Sequence, residues 1–203
     1  MQVKVCGLST VDQVKTCVLH GANFCGFILN YKKSHRYINY ETAQQLTQIE
    51  KQNTSYVGVL VDPSDEELKK FSKLDIDYFQ IYGDYPEEKV RKIKKNYKKK
   101  IIISLQINQE QDILKYKIYK KVADIILFDS SGLHQSLSWN YNWTRKVSSS
   151  VIKMLAGNIN IDMLENLKKL TDIVDVSGAL ETDKVKDLNK IKIFLKKIKQ
   201  IND

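Results

Sequence analysis

At 203 residues the chain is long enough for one well-buried domain and short for two. Its 42% hydrophobic and 28% charged content is that of a soluble globular protein, and no run approaches the roughly 20 apolar residues that span a bilayer. The net charge of +9 raises nucleic-acid binding, yet the lysines are spread over predicted helices and no basic motif is interleaved with aromatics, which weighs against it.

Short apolar, β-branched runs alternate with longer amphipathic stretches along the whole chain. The first strand, Val3–Cys6, ends in a thiol and is broken at once by Gly7; a helix follows over Val11–His20. Phe24–Leu29 and Tyr56–Val61 are the next strands, each followed by a helix, Thr42–Lys51 and Asp65–Leu74. Ser64 with Glu67 three residues on is a capping box for the latter. After the fourth strand, Tyr78–Tyr82, Pro86 suits the first turn of a helix over Glu87–Tyr97. Strands at Ile101–Gln106 and Asp124–Asp129 precede helices at Gln109–Val122 and Asn142–Ser149. Val151–Leu155 leads to Ile161–Leu170, and Ile173–Ser177 to Lys184–Ile201, where Leu188, Ile191, Ile193, Phe194, Leu195 and Ile198 form an apolar stripe. Eight β-then-α units without a Gly-x-Gly-x-x-Gly turn predict an α/β protein, a single-domain (β/α)8 TIM barrel over residues 1–203.

Side chains alternate along a strand, so Cys6 shares a face with Lys4, Gln80 with Tyr78 and Tyr82, Asp129 with Leu127, and Asp175 with Ser177. Polar groups at the C-terminal ends of barrel strands belong to the active-site face. A lone carboxylate there reads as a turn cap, but Cys6, Gln80, Asp129 and Asp175 on one rim favour chemistry. The turns Leu155-Ala156-Gly157-Asn158 and Ser177-Gly178-Ala179 carry small residues that let backbone N–H groups cradle an anion. Lys184 and Lys186, just downstream, are expected to be exposed and secondary. His20, His35 and His134 are too scattered for a metal site. Three cysteines and an N-terminus without a signal pattern predict a reducing, cytoplasmic location.

Several blocks match one family. Lys4-Val5-Cys6-Gly7 is similar to its opening Lys-Ile-Cys-Gly, and Gly26-Phe27 with the later Ser34-His35-Arg36 to its Gly-Phe and Ser-x-Arg. Val57-Gly58-Val59-Leu60-Val61, Phe79-Gln80-Ile81-Tyr82-Gly83, Leu127-Phe128-Asp129-Ser130 and Val174-Asp175-Val176-Ser177 followed by Glu181 match further strands, with Tyr82 replacing a usual histidine. The chain thereby resembles the phosphoribosylanthranilate isomerase family of tryptophan biosynthesis over nearly its whole length.

The resemblance implies an Amadori rearrangement of N-(5-phosphoribosyl)anthranilate to 1-(2-carboxyphenylamino)-1-deoxyribulose 5-phosphate, with no metal or organic cofactor. It implies Cys6 as general base and Asp129 as general acid, with substrate bound by Arg36 through its fork, by Gln80 and by Asp175. Asp175 orients substrate in this reading, so its change to Asn is expected to hurt less than that of Asp129. Phosphate falls to Gly132, Gly157, Asn158, Ser177 and Gly178. The expected partner is this one phosphorylated small molecule, with neither nucleic acid nor membrane, in a monomer or homodimer. The loop Ser130-Ser131-Gly132-Leu133 has one glycine where the family has a Gly-Gly-(Thr/Ser)-Gly-Lys run. That departure motivates an alternative, a phosphate-binding barrel of altered or lost activity.

Overall fold

A computed structural model describes residues 1–130 and 137–203. Eight runs of β-branched and aromatic residues pair in parallel, each with the next, and the last returns to the first. They are β1 (Gln2–Cys6), β2 (Phe24–Ile28), β3 (Ser55–Val61), β4 (Tyr78–Tyr82), β5 (Lys100–Ile107), β6 (Ile125–Ser130), β7 (Lys153–Leu155) and β8 (Ile173–Val176). The ring closes as a (β/α)8 TIM barrel. Because side chains alternate, each strand serves two cores. Val3, Phe27, Tyr56 and Phe79 join the outer core under the helices. Val57, Tyr78, Ile102, Leu127 and Met154 fill the barrel itself.

The connecting helices begin where side chains satisfy the free N–H groups of the first turn. Thr10 caps α1 (Val11–Leu19), Asn39 caps α2 (Tyr40–Thr47), and the Ser64–Glu67 capping box opens α3 (Asp65–Phe71). Pro86 precedes α4 (Glu87–Tyr97). Past β5 a 3-10 turn, Glu110–Lys115, runs into α5 (Tyr116–Tyr119), and another, Ile161–Met163, into α6 (Leu164–Leu167).

Three expectations are corrected. The helix expected over Asn142–Ser149 is a 3-10 segment, Tyr141–Lys146. There the Thr144 hydroxyl bonds back to the Tyr141 carbonyl, and Ser148 and Ser150 bond each other, so side chains draw the backbone away from a longer helix. The last helix, α7 (Leu188–Asn202), starts at Leu188, not Lys184, capped by Asp187. The residues before it form a hairpin, β9 (Glu181–Thr182) and β10 (Val185–Lys186), turned by Asp183 and Lys184 at φ 50° and 64°. Within α7, Ile191, Phe194, Leu195, Ile198 and Ile201 make the buried face, while Ile193 is 61% exposed. Two residues from Ile191 is about 200° round a helix of 3.6 residues per turn, which puts Ile193 on the opposite face. No helix among the described residues is long and apolar enough to cross a membrane.

Candidate active site

At the C-terminal ends of the strands lies a cavity of about 250 Å³, lined among others by Cys6, Arg36, Tyr82, Asp129, Asp175 and Ser177. Its floor carries charge. Lys4, one step down β1 from Cys6 on the same face, is 0% exposed, and its Nζ lies 2.8 Å from Asp175 Oδ2. The β1–β8 register sets these two residues side by side. Burial alone would lower the ammonium's pKa, but Asp175 and Cys6 hold it raised. Burial pushes the Asp175 carboxyl up, and Lys4 pulls it back. Asp175 Oδ1 has no partner among the described residues, so it offers an acceptor to whatever fills the cavity.

Two glycines make room for these groups. A Cβ at Gly26 would lie 3.0 Å from the Cys6 sulfur and 3.1 Å from Lys4 Nζ. Gly7, at φ +78°, turns the chain out of β1, and a Cβ there would lie 2.4 Å from Arg36 Cδ. Cys6 itself sits above its ordinary thiol value because burial disfavours the thiolate, while Lys4 draws it down. Cys17 and Cys25 are wholly buried in the outer core.

Across the cavity Asp129 ends β6. The Tyr82 hydroxyl donates to its Oδ2 at 2.7 Å, and the Ser130 N–H donates to Oδ1 at 2.8 Å. Burial nevertheless raises the carboxyl to about 6, outweighing those hydrogen bonds. Gln80 is fully buried one layer below and, among the described residues, reaches the site through Tyr82, whose Oη accepts from its Nε2 at 3.2 Å. The structure therefore separates Gln80 from the cavity wall that Cys6, Asp129, Arg36 and Asp175 share.

The Arg36 fork is already engaged. Its Nε lies 2.5 Å from Glu181 Oε1 and its Nη2 2.8 Å from Glu181 Oε2, a bidentate pair. Lys186 Nζ binds the same carboxylate and donates to Ser177 Oγ at 3.2 Å. Despite partial burial, Arg36 and Lys186 hold Glu181 down at about 2. Lys186 is 6% exposed, not the solvated charge expected of it, because the hairpin folds it inward.

The two small-residue turns also line the cavity. Gly157 has φ +105° and Asn158 φ 51°, so the first turn needs left-handed backbone. Trp139 Nε1 donates to the Ala156 carbonyl at 3.0 Å, the Tyr141 hydroxyl donates to that of Gly157, and Asn158 Nδ2 donates to Ser138 Oγ at 3.1 Å. The stretch from Ser138 to Tyr141, which leads into the 3-10 segment, thus buttresses this turn from behind. The second turn is relaxed: Gly178 and Ala179 lie in a 3-10 turn, Gly178–Leu180, and neither has positive φ. Gly132 lies outside the described residues.

Sequence reasoning missed the hydroxyl of Tyr82, the fork partner Glu181 and the buried ammonium of Lys4. The last had a signal, a lysine two residues before Cys6 on an inward-facing strand.

A model of the N-(5′-phosphoribosyl)anthranilate (PRA) isomerase family matches residues 3–197. An N-(5′-phosphoribosyl)anthranilate isomerase of Streptococcus mutans is 32% identical, with 98% of this chain and 99% of that protein covered. The crystal structure of monomers generated from the dimeric phosphoribosylanthranilate isomerase of Thermotoga maritima superposes with TM-score 0.86 at 25% identity, covering 98% of this chain and 99% of that one. A phosphoribosylanthranilate isomerase in complex with reduced 1-(o-carboxyphenylamino)-1-deoxyribulose 5-phosphate gives TM-score 0.85 at 26% identity, with the same coverage.

Proposed function

The chain belongs to the N-(5′-phosphoribosyl)anthranilate isomerase family and is an isomerase of tryptophan biosynthesis, and on that premise we propose that Cys6 and Asp129 are the base and acid of its rearrangement. The binding-only alternative falls with that assignment. Ring opening requires a proton on the ribose ring oxygen, and formation of the ketose requires one removed from sugar C2. Asp129 gives the first from its protonated carboxyl, opening the ring to a protonated imine. The Cys6 thiolate takes the second, leaving an enolamine that tautomerises to the ketose. One observation carries the reading: a thiol and a carboxyl raised to about 6 face one cavity.

Around that pair, Asp175 Oδ1 accepts from the anthranilate amine. Arg36 meets the anthranilate carboxylate with the N–H donors that Glu181 leaves it, both of Nη1 and one of Nη2. The phosphate takes the turns Gly157-Asn158 and Ser177-Gly178. Loss of the substrate's fluorescence, followed with freshly made N-(5-phosphoribosyl)anthranilate, tests the activity; no loss beyond the buffer rate overturns the reading.

The phosphate assignment has its own test. Gly157→Ala puts a side chain at φ +105° and within 2.7 Å of the Leu137 carbonyl, so both stability and affinity fall. At Gly178 the nearest atom to an added Cβ is Arg36 Nη2, at 3.7 Å. Gly178→Val is therefore expected to keep its Tm and to raise KM about tenfold or more by filling the space of phosphate oxygens. An unchanged KM in Gly178→Val removes the second turn from the phosphate site.

The pH profile follows from the two raised groups. Cys6 stands above its ordinary 9.0 and Asp129 at about 6, so the reactive combination, thiolate beside carboxylic acid, is a small minority of molecules. Its population rises with pH up to the Asp129 value, stays level, and falls only above the Cys6 value. The plot of kcat/KM should accordingly break upward-to-flat near pH 6 and turn down well into the alkaline range. A phosphate also titrates near 6, and Tyr82→Phe separates the two. Loss of the hydroxyl that stabilises the Asp129 carboxylate moves the acid's break to higher pH and leaves a phosphate break in place. A break that does not move in Tyr82→Phe takes Asp129 out of the profile.

A further inference from the structure

We propose that Lys4 is the positioning residue that makes Cys6 ionisable: an ammonium locked inside the barrel, anchored by Asp175 and set beside the thiol over Gly26. The proposal rests on the reading of Cys6 as base. A lysine is rarely buried without a partner, because the charge is costly to remove from water. Lys4 is 0% exposed and has an anchor, Asp175 Oδ2 at 2.8 Å. One carboxylate oxygen uses one of its three donors. The Cys6 thiol is a second neighbour, and the ammonium draws its pKa down against the effect of burial. Sulfur and ammonium border the same space above Gly26, where an added Cβ would stand 3.0 Å from Sγ and 3.1 Å from Nζ.

Other groups act on the thiol from every side, and none substitutes for Lys4. Asp175, on β8, opposes ionisation, and Lys186, on β10, favours it, each less than Lys4 does. Arg36, from the loop after β2, is neutralised by Glu181. Tyr82 and Asp129, on the far wall, engage each other. Gly26, the neighbour on β2, has no side chain to contribute. Lys4 also cannot swing into solvent, so its field needs no reorganisation when the proton moves.

A purely structural lysine would neutralise Asp175 and leave the thiol alone. The two roles separate in the rate at which iodoacetamide alkylates Cys6 as a function of pH, read by mass spectrometry of the Cys6 peptide. Cys6 lines the cavity, while Cys17 and Cys25 are buried, so the reagent discriminates between them. Lys4→Met is the direct variant. Since it orphans a buried carboxylate, Lys4→Met/Asp175→Asn is the companion that removes both charges and keeps both shapes. In each, alkylation at pH 8 should be about tenfold slower or more than in the wild type, with the half-reaction point displaced to higher pH. The alkaline turn-down of kcat/KM should shift upward with it in Lys4→Met. A wild-type alkylation profile in the double variant overturns the proposal. The readout involves no substrate, so it decides the role of Lys4 even if Cys6→Ser keeps its turnover and Cys6 is not the base.

Discussion

Cys6→Ser should lose at least about 10²–10⁴-fold in kcat while its circular dichroism and Tm stay those of the wild type. The sulfur is partly exposed to the cavity and not packed in either core's interior, so exchanging it for oxygen leaves no void that would unfold the barrel. What changes is acidity. A serine hydroxyl has no ionised form near neutral pH, and Lys4, which stabilises a thiolate, cannot bring an alcohol into range. The controls are Cys17→Ala and Cys25→Ala, chosen over serine because both sites are 0% exposed in an apolar core, where a hydroxyl is costly to bury. They should lower Tm and spare kcat. Turnover near the wild-type rate in Cys6→Ser would remove the thiol from the mechanism.

Asp129→Asn should cost kcat as much, for a different reason. The carboxyl accepts from Tyr82 on one oxygen and from the Ser130 N–H on the other. An amide has only one acceptor, so one donor faces an NH2 group, and neither orientation yields an acidic proton for the ring oxygen. Asp175→Asn is the instructive comparison. As an orienting residue it should lose less kcat than Asp129→Asn. The ion pair with Lys4 makes it the more damaging change to the fold, about 3–5 kcal/mol, because it leaves a buried ammonium without its counter-charge. Rates per folded molecule and urea midpoints, measured together, separate the two losses. Equal rate losses in the two variants would mean that Asp175 does more than orient.

The barrel was legible in the sequence because strands buried on both sides are near-continuous apolar runs, and period-two alternation sorts their side chains to one wall or the other. That rule put Cys6, Gln80, Asp129 and Asp175 on one rim; Cys6, Asp129 and Asp175 line the cavity, and Gln80 lies buried below it. What escaped it depends on long-range geometry. The hydroxyl of Tyr82 reaches from β4 to the end of β6, across 47 residues of chain. Lys186 looks like any other lysine in a lysine-rich segment, and only a hairpin of two-residue strands turns it inward onto Glu181. The same hairpin takes the Arg36 fork, which the sequence reading assigned to the substrate. The 3-10 segment at Tyr141–Lys146 was missed because its threonine and the serines after it compete with helix hydrogen bonds through contacts no periodicity reveals.

Gly26 contributes no atom to the chemistry, and that absence narrows what natural variation can do there. Inner-layer neighbours such as Val57 and Leu127 can trade volume with one another, since apolar cores accept many compensated exchanges. At position 26 every other amino acid adds a carbon within 3.0 Å of the reactive sulfur and of the Lys4 side chain. In a saturation library scored for both abundance and growth without tryptophan, this strand position should stand apart. Its smallest variant, Gly26→Ala, would accumulate as folded protein and still support growth poorly, a signature usually credited to residues that touch the substrate.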